Sequence, residues 1–189
     1  MSATKRMLAI SLKELLKKST IDSITIQMIT DNAGVSRKTF YYHFQDIYDL
    51  LEWTLFDDFA RIVAGNTTID TWHQGLFNVF SYCKSNRELV MNTFNSVRYV
   101  ALEDYICRMI MPVVDTIVRK EEGYECLEED DREFIKTVYC YGITGLLMHW
   151  VSDDMKTEPD YLVSKIDKFF TGSMQTMFSQ AALAEKQDK

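Results

Sequence analysis

The chain has 189 residues, 47% of them hydrophobic and 26% charged, and a formal net charge of -7, the balance of a globular protein and not of a disordered chain. No run of about 18 apolar residues occurs, which argues against a helical membrane span. Seven Gly and two Pro are too few for the turns of a sandwich or barrel, so an all-α fold is expected.

The first predicted helix covers residues 3–18, with Leu8, Leu12, Leu15 and Leu16 at helical spacing and lysines opposite. Lys13, Glu14, Lys17 and Lys18 break its apolar stretch and no small-residue cleavage site follows, so it reads as an amphipathic helix and not a signal peptide. STIDSIT interrupts it. Thr25 then caps a second helix with Ile26, Ile29 and Ala33 inward, and Gly34 ends it at the position where a left-handed residue is easiest. Ser36 caps a third helix to about Phe44, and Asp46 caps a fourth, to about Ala64, with Asp49 in its first turn where the helix dipole favours acid. Helices follow over 69–85, 87–95 and 98–122, the last kinked or split at Pro112. GYECLEEDD is an acidic connection to a helix over 129–152, and Pro159 opens the last one, to about Ala184.

A helix over 25–33, a Gly turn and a helix over 36–44 have the length and punctuation of a helix-turn-helix, as would an ordinary helical hairpin with a solvated basic face. Ile29, Ala33, Val35, Phe40 and Phe44 form an apolar seam. Arg37, Lys38, Thr39, Tyr41, Tyr42 and His43 are left for the other surface. Arg and Lys there can pair with guanine O6/N7 and Thr can meet a thymine methyl, while hydroxyls and helix N-termini suit phosphate oxygens. Charge agrees with this placement. Residues 1–50 hold seven Lys/Arg against five Asp/Glu and the remainder 14 against 23, so contact with a polyanion must be local to the N-terminal end.

The run TIQMITDNAGVSRKTFYYHFQDIYDLLEW, Thr25 to Trp53, resembles the DNA-binding domain of the TetR/AcrR family of bacterial transcriptional regulators. It has the Thr-capped helix, AGVS (33–36), a variable triplet (37–39), FYYHF (40–44) and the leucine pair Leu50-Leu51. The resemblance implies an N-terminal three-helix helix-turn-helix domain, 1–45, and a larger helical dimerisation and effector-binding domain, 46–189. It implies base reading by Arg37, Lys38 and Thr39, and phosphate contacts by Thr25, Ser36, Tyr41, Tyr42 and His43. Many members carry a phosphate-binding lysine where this chain has Ile47; Lys5 and Arg6 could compensate.

The same resemblance implies a homodimer that reads a palindromic operator on double-stranded DNA, with the last two long helices forming the dimer bundle. Tyr139, Gly142, Ile143, Leu146, Leu147, Trp150, Leu162, Ile166, Phe169 and Phe170 make an apolar stripe suited to that role, or to an intramolecular core. Gly142 and Gly145 disfavour a helix by roughly 1 kcal/mol each, which suggests close helix approach. Trp72, Phe77, Phe80, Phe94, Tyr105, Met109, Tyr141 and Met148 suit either a pocket for a small hydrophobic or aromatic effector or plain core. LFDDF (55–59) and Trp72 resemble a branch related to a dihydroxyacetone-kinase regulator, so a ligand-responsive repressor is the default reading, and an activator or partner-dependent co-regulator the variant.

No cofactor or metal is expected, since His73 and His149 lack short-range partners. The widely spaced Cys83, Cys107, Cys126 and Cys140 read as reduced thiols of a cytoplasmic protein. No phosphate loop, nucleophile elbow or clustered His/Asp/Glu set appears, so no enzymatic activity is expected.

Overall fold

A computed structural model describes residues 3–68, 70–96, 99–121 and 123–187. Among them no strand occurs, and the elements are helices α1 Ala3–Leu16, α2 Ile26–Ala33, α3 Arg37–His43, α4 Ile47–Ile62, α5 Trp72–Ser85, α6 Arg87–Ser96, α7 Tyr99–Val118, α8 Glu129–Ser152 and α9 Pro159–Gln187. Short 3-10 turns lie at Ile21–Ser23 and Tyr124–Cys126. Ile69, where the fifth helix was expected to begin, lies outside the described residues, as do Arg98 and Glu122, the expected ends of the seventh. Of the kink or split expected at Pro112, the split does not occur: α7 runs through it, with Ile110, Val114 and Ile117 buried on either side of the missing N–H.

Two compact units form. The first joins Met1–Arg61 to Cys83–Leu102. Its core is Leu8, Leu12 and Leu16 of α1, Ile29 of α2, Phe40 and Phe44 around α3, and Leu50 and Leu51 of α4, all buried. Polar bonds fix the register of α2 on α1. The buried Ser11 hydroxyl donates to the Ile29 carbonyl at 2.8 Å, and Asn32 Nδ2 donates to Ser11 Oγ at 3.2 Å and to Glu14 Oε2 at 2.9 Å. Lys13 Nζ spans both oxygens of Asp58 at 3.0 Å, tying α1 to α4. Helix α6 belongs to this unit although it is distant in sequence. Asn92 Nδ2 donates to the Leu16 carbonyl at 2.8 Å, and Ser96 Oγ accepts from the Ile21 N–H at 3.0 Å, which satisfies backbone groups exposed where α1 stops.

The second unit holds Ile62–Tyr82 and Glu103–Lys189. Here α8 and α9 pack antiparallel: Tyr139 and Phe170 stack with centroids 5.0 Å apart, and the hydroxyls of Tyr139 and Ser173 bond at 3.1 Å. Phe80 of α5 packs its ring at a tilt against Trp150, centroids 4.8 Å apart. The α8–α9 corner is a Schellman motif, with Met155 N–H bonded to Trp150 O and Asp154 N–H to Val151 O. Asp154 takes the left-handed conformation there at φ 63, and Trp150 Nε1 donates to Thr157 O at 2.9 Å.

Lysine 136 is the one buried cation described in this unit. It pairs with Asp115 of α7 at 3.1 Å and with Glu133 one turn away. The Arg119 guanidinium and then Lys136 hold the Asp115 carboxyl below the usual carboxylate range. Cys140 lies beside Cys107, and burial first, then that neighbour, pushes its thiol up to about 12.

Candidate nucleic-acid interface

Local chemistry shapes the Thr25–Phe44 segment. Thr25 Oγ1 accepts the Met28 N–H at 3.2 Å and Ser36 Oγ the Thr39 N–H at 3.1 Å, so both expected caps are formed. Between them Gly34 sits at φ 66, with Val35 N–H bonded to Thr30 O and Gly34 N–H to Asp31 O. This Schellman closure makes the turn from α2 to α3 tight, and only a residue at home in the left-handed region fits it cheaply.

Helix α3 is two-faced. Phe40 and the following Phe44 are buried, while Val35 and Ala33 close the seam half-buried. Arg37, Lys38, Tyr41 and Tyr42 are exposed, Tyr42 the most at 83%. Thr39 is half-buried, its hydroxyl 2.9 Å from Ser36 Oγ. Arg37 reaches back toward the Tyr41 hydroxyl at 3.5 Å, and Lys38 makes no ion pair among the described residues. The His43 ring is wedged half-buried between Tyr42 at 4.9 Å and Phe44 at 6.4 Å. The eight residues expected at DNA therefore lie together along one short segment.

One feature was not legible in the sequence. The Lys5 ammonium stands 5.0 Å from the Phe44 ring centroid and 5.6 Å from that of Trp53, a cation on two aromatic faces. Residues 39 and 48 positions away in sequence leave no local pattern to find. Ile47 is half-buried in the first turn of α4.

The other expected sites separate. Of the ten interface residues, Tyr139, Ile143, Leu147, Trp150, Ile166 and Phe170 are buried in the protomer's own core. Gly142 faces Phe170, where an added Cβ would stand 3.0 Å from Cζ, and Leu162 is half-buried. Leu146 and Phe169 are exposed, Phe169 at 69%. The expected stripe thus lies mainly in the protomer's own core, and α8 is apolar on two faces. Its outer face carries Phe134, 66% exposed, with Val138, Tyr141 and Gly145. Among the expected pocket residues, Trp72, Phe80 and Met148 are core, Phe77, Tyr105 and Met109 half-buried, and Tyr141 exposed. Phe94, also half-buried, falls in the first unit while the others fall in the second.

Among the described residues no helix is long and apolar enough to cross a membrane, and no cluster of three metal-ligating side chains occurs.

Comparisons with known proteins agree with this geometry. Residues 12–53 match the family model described as bacterial regulatory proteins, tetR family, and residues 70–172 that described as transcriptional regulator C-terminal region. The HTH-type dhaKLM operon transcriptional activator DhaS of Lactococcus lactis subsp. lactis (strain IL1403) is 28% identical over 91 residues, 48% of this chain and 49% of that protein. The match thus spans about half of that relative's length. A solved structure of a dihydroxyacetone kinase operon activator DhaS superposes with a TM-score of 0.71 over 92% of this chain and 97% of its own, at 19% identity. A TetR transcriptional regulator from Streptococcus agalactiae 2603V gives 0.55 over 86% and 93%, at 21% identity. With the helix-turn-helix built as described and the second model matching more than half the chain, the protein belongs to the TetR family of bacterial transcriptional regulators.

Proposed function

We propose that the chain works as a homodimer on a palindromic operator, with α3 of each protomer in the major groove. The observation that carries this is the two-faced α3, whose Phe40 is buried while Arg37, Lys38, Tyr41 and Tyr42 stand free of the core. Arg37, Lys38 and Thr39 read base edges; Thr25, Ser36, Tyr41, Tyr42 and His43 hold phosphates. Residues 1–45 are the DNA-binding domain and 46–189 the dimerisation and effector domain, the effector being a small apolar or aromatic molecule. Half-buried Phe77, Tyr105 and Met109 are available to it.

The second copy covers the outer faces of α8 and α9. Phe134, Val138 and Tyr141 stand exposed on one, Tyr161 and Phe169 on the other. Gly145 and Gly172 interrupt these faces, and a Cβ at either would meet nothing within 4 Å of its own chain. Two mid-helix glycines without an intrachain reason fit close approach by a partner helix.

The test is selection of duplexes from a random pool by the purified protein, followed by titration of the winner. Arg37→Ala or Lys38→Ala should relax sequence preference, and Tyr42→Phe should weaken all sequences about equally. Enrichment of no palindrome overturns the reading. The direction of regulation has two versions. A ligand-released repressor follows from a population shift in helix spacing; an activator is favoured by the name of the Lactococcus relative. A reporter with the selected site upstream or within the promoter separates them.

A further inference from the structure

Two shielded lysines of the described structure take carboxylates. Lys13 spans Asp58 and Lys136 sits on Asp115 and Glu133. Lys5 differs from both: half-buried, it has no ion pair or hydrogen bond among the described residues, only the rings of Phe44 and Trp53. An aromatic face attracts a cation without satisfying its N–H donors, so the Lys5 ammonium keeps donors open while its stem is held in place.

Its position is the second observation. Phe44 is the residue at which α3 ends, and its ring touches His43, which touches the exposed Tyr42. The cation therefore stands at the C-terminal end of the recognition helix. In the docking proposed above, Tyr42 and His43 at this same end of α3 hold phosphates, which places the DNA backbone beside it. At this corner the first turn of α4 holds no cation. It holds Asp46 and Asp49, whose carboxylates accept the Asp49 and Gln45 N–H groups at 2.9 and 2.8 Å. Lys5 brings positive charge to a corner that would otherwise repel the backbone.

We propose that Lys5 is a DNA-backbone contact, its ammonium set by the Phe44–Trp53 ring pair to take a phosphate oxygen beside the end of α3. Holding the side chain before DNA arrives reduces the rotamer freedom lost on binding. The assignment rests on the reading that α3 enters the groove.

The test is the salt dependence of binding. Full-length protein, Lys5→Met and Lys5→Arg are titrated against the duplex that the unsubstituted protein itself enriches, between 50 and 300 mM KCl, with thermal midpoints taken in parallel. One phosphate contact contributes about 0.9 to the slope of log K against log salt, so two protomers contribute about 1.8. Lys5→Met, whose stem can still cover the rings, should flatten the slope by that amount, and Lys5→Arg should restore it. An unchanged slope with a lowered thermal midpoint makes Lys5 an internal staple and overturns the proposal alone. Failure of the unsubstituted protein to enrich any duplex overturns the groove reading and this proposal with it.

Discussion

Replacing Gly145 with Ala should stabilise the protomer and weaken the dimer at the same time. A Gly in a helix interior is less favourable than Ala by roughly 1 kcal/mol. A Cβ at 145 meets nothing within 4 Å, so no intrachain clash offsets the gain. Gly142, three residues away, is the internal control, because its added Cβ would stand 3.0 Å from Phe170 Cζ and the crowding cancels the helix preference. With a urea m-value of about 2–3 kcal/mol/M, the Gly145→Ala gain is a midpoint shift of about 0.3–0.5 M. On the proposed contact face, between Tyr141 and His149, the same methyl group would hold the partner helix away. Loss of that packing by about 1.4 kcal/mol is a tenfold weaker dimer. Urea unfolding at a concentration below dissociation, with sedimentation equilibrium above it, measures the two effects apart. A dissociation constant that stays the same or tightens refutes the placement of Gly145 at the subunit contact. A midpoint that falls refutes the reading of an open site.

Three further outcomes follow from the packing. Cys140, fully buried with its thiol pushed up to about 12, should resist iodoacetamide at pH 8 in the native protein and react on denaturation; labelling at the rate of a free thiol would contradict its burial. Gly75→Ala should destabilise by about 1–3 kcal/mol, since its Cβ would lie 2.8 Å from the Asn66 carbonyl oxygen, backbone that cannot rotate away, and an unchanged thermal midpoint would count against that contact. The Asp115 carboxyl is held low by Arg119 and Lys136, so its stabilising contribution is full above the unfolded value of about 3.9 and lost as pH falls through the lower folded value. With the side chain 32% exposed, that contribution is about 0.5–1 kcal/mol after solvent screening. Asp115→Asn should lower stability at pH 7 and flatten the acid limb of a urea-stability profile, and parallel curves would rule the contribution out.

The helix-turn-helix was legible because its determinants are local. Thr25, Gly34 and Ser36 each act within five residues, and all three take the roles their chemistry suggests. The bounds of α8 were legible for the same reason, from an acidic first turn to the Asp153 stop. What was not legible depends on which neighbour a face meets. Tyr139 and Phe134 are both aromatic, five residues apart on α8, yet one is core and the other solvent-facing; periodicity on a helix apolar on two sides cannot rank them. Pro112 was read from its local cost, and the buried residues flanking it decided otherwise. Lys5 on Phe44 and Trp53 needed the fold itself to bring the three together.

The attachment of α6 to the first unit changes what counts as the DNA-binding module. The cut point expected from the sequence is residue 45, before α4. A fragment ended there would keep every residue expected at DNA yet leave the Leu16 carbonyl without its Asn92 donor and the Ile21 N–H without its Ser96 acceptor, and would strip Leu89 and Thr93 from the unit. The unit that carries the residues proposed to read DNA is thus completed by side chains 44 to 51 positions beyond that boundary.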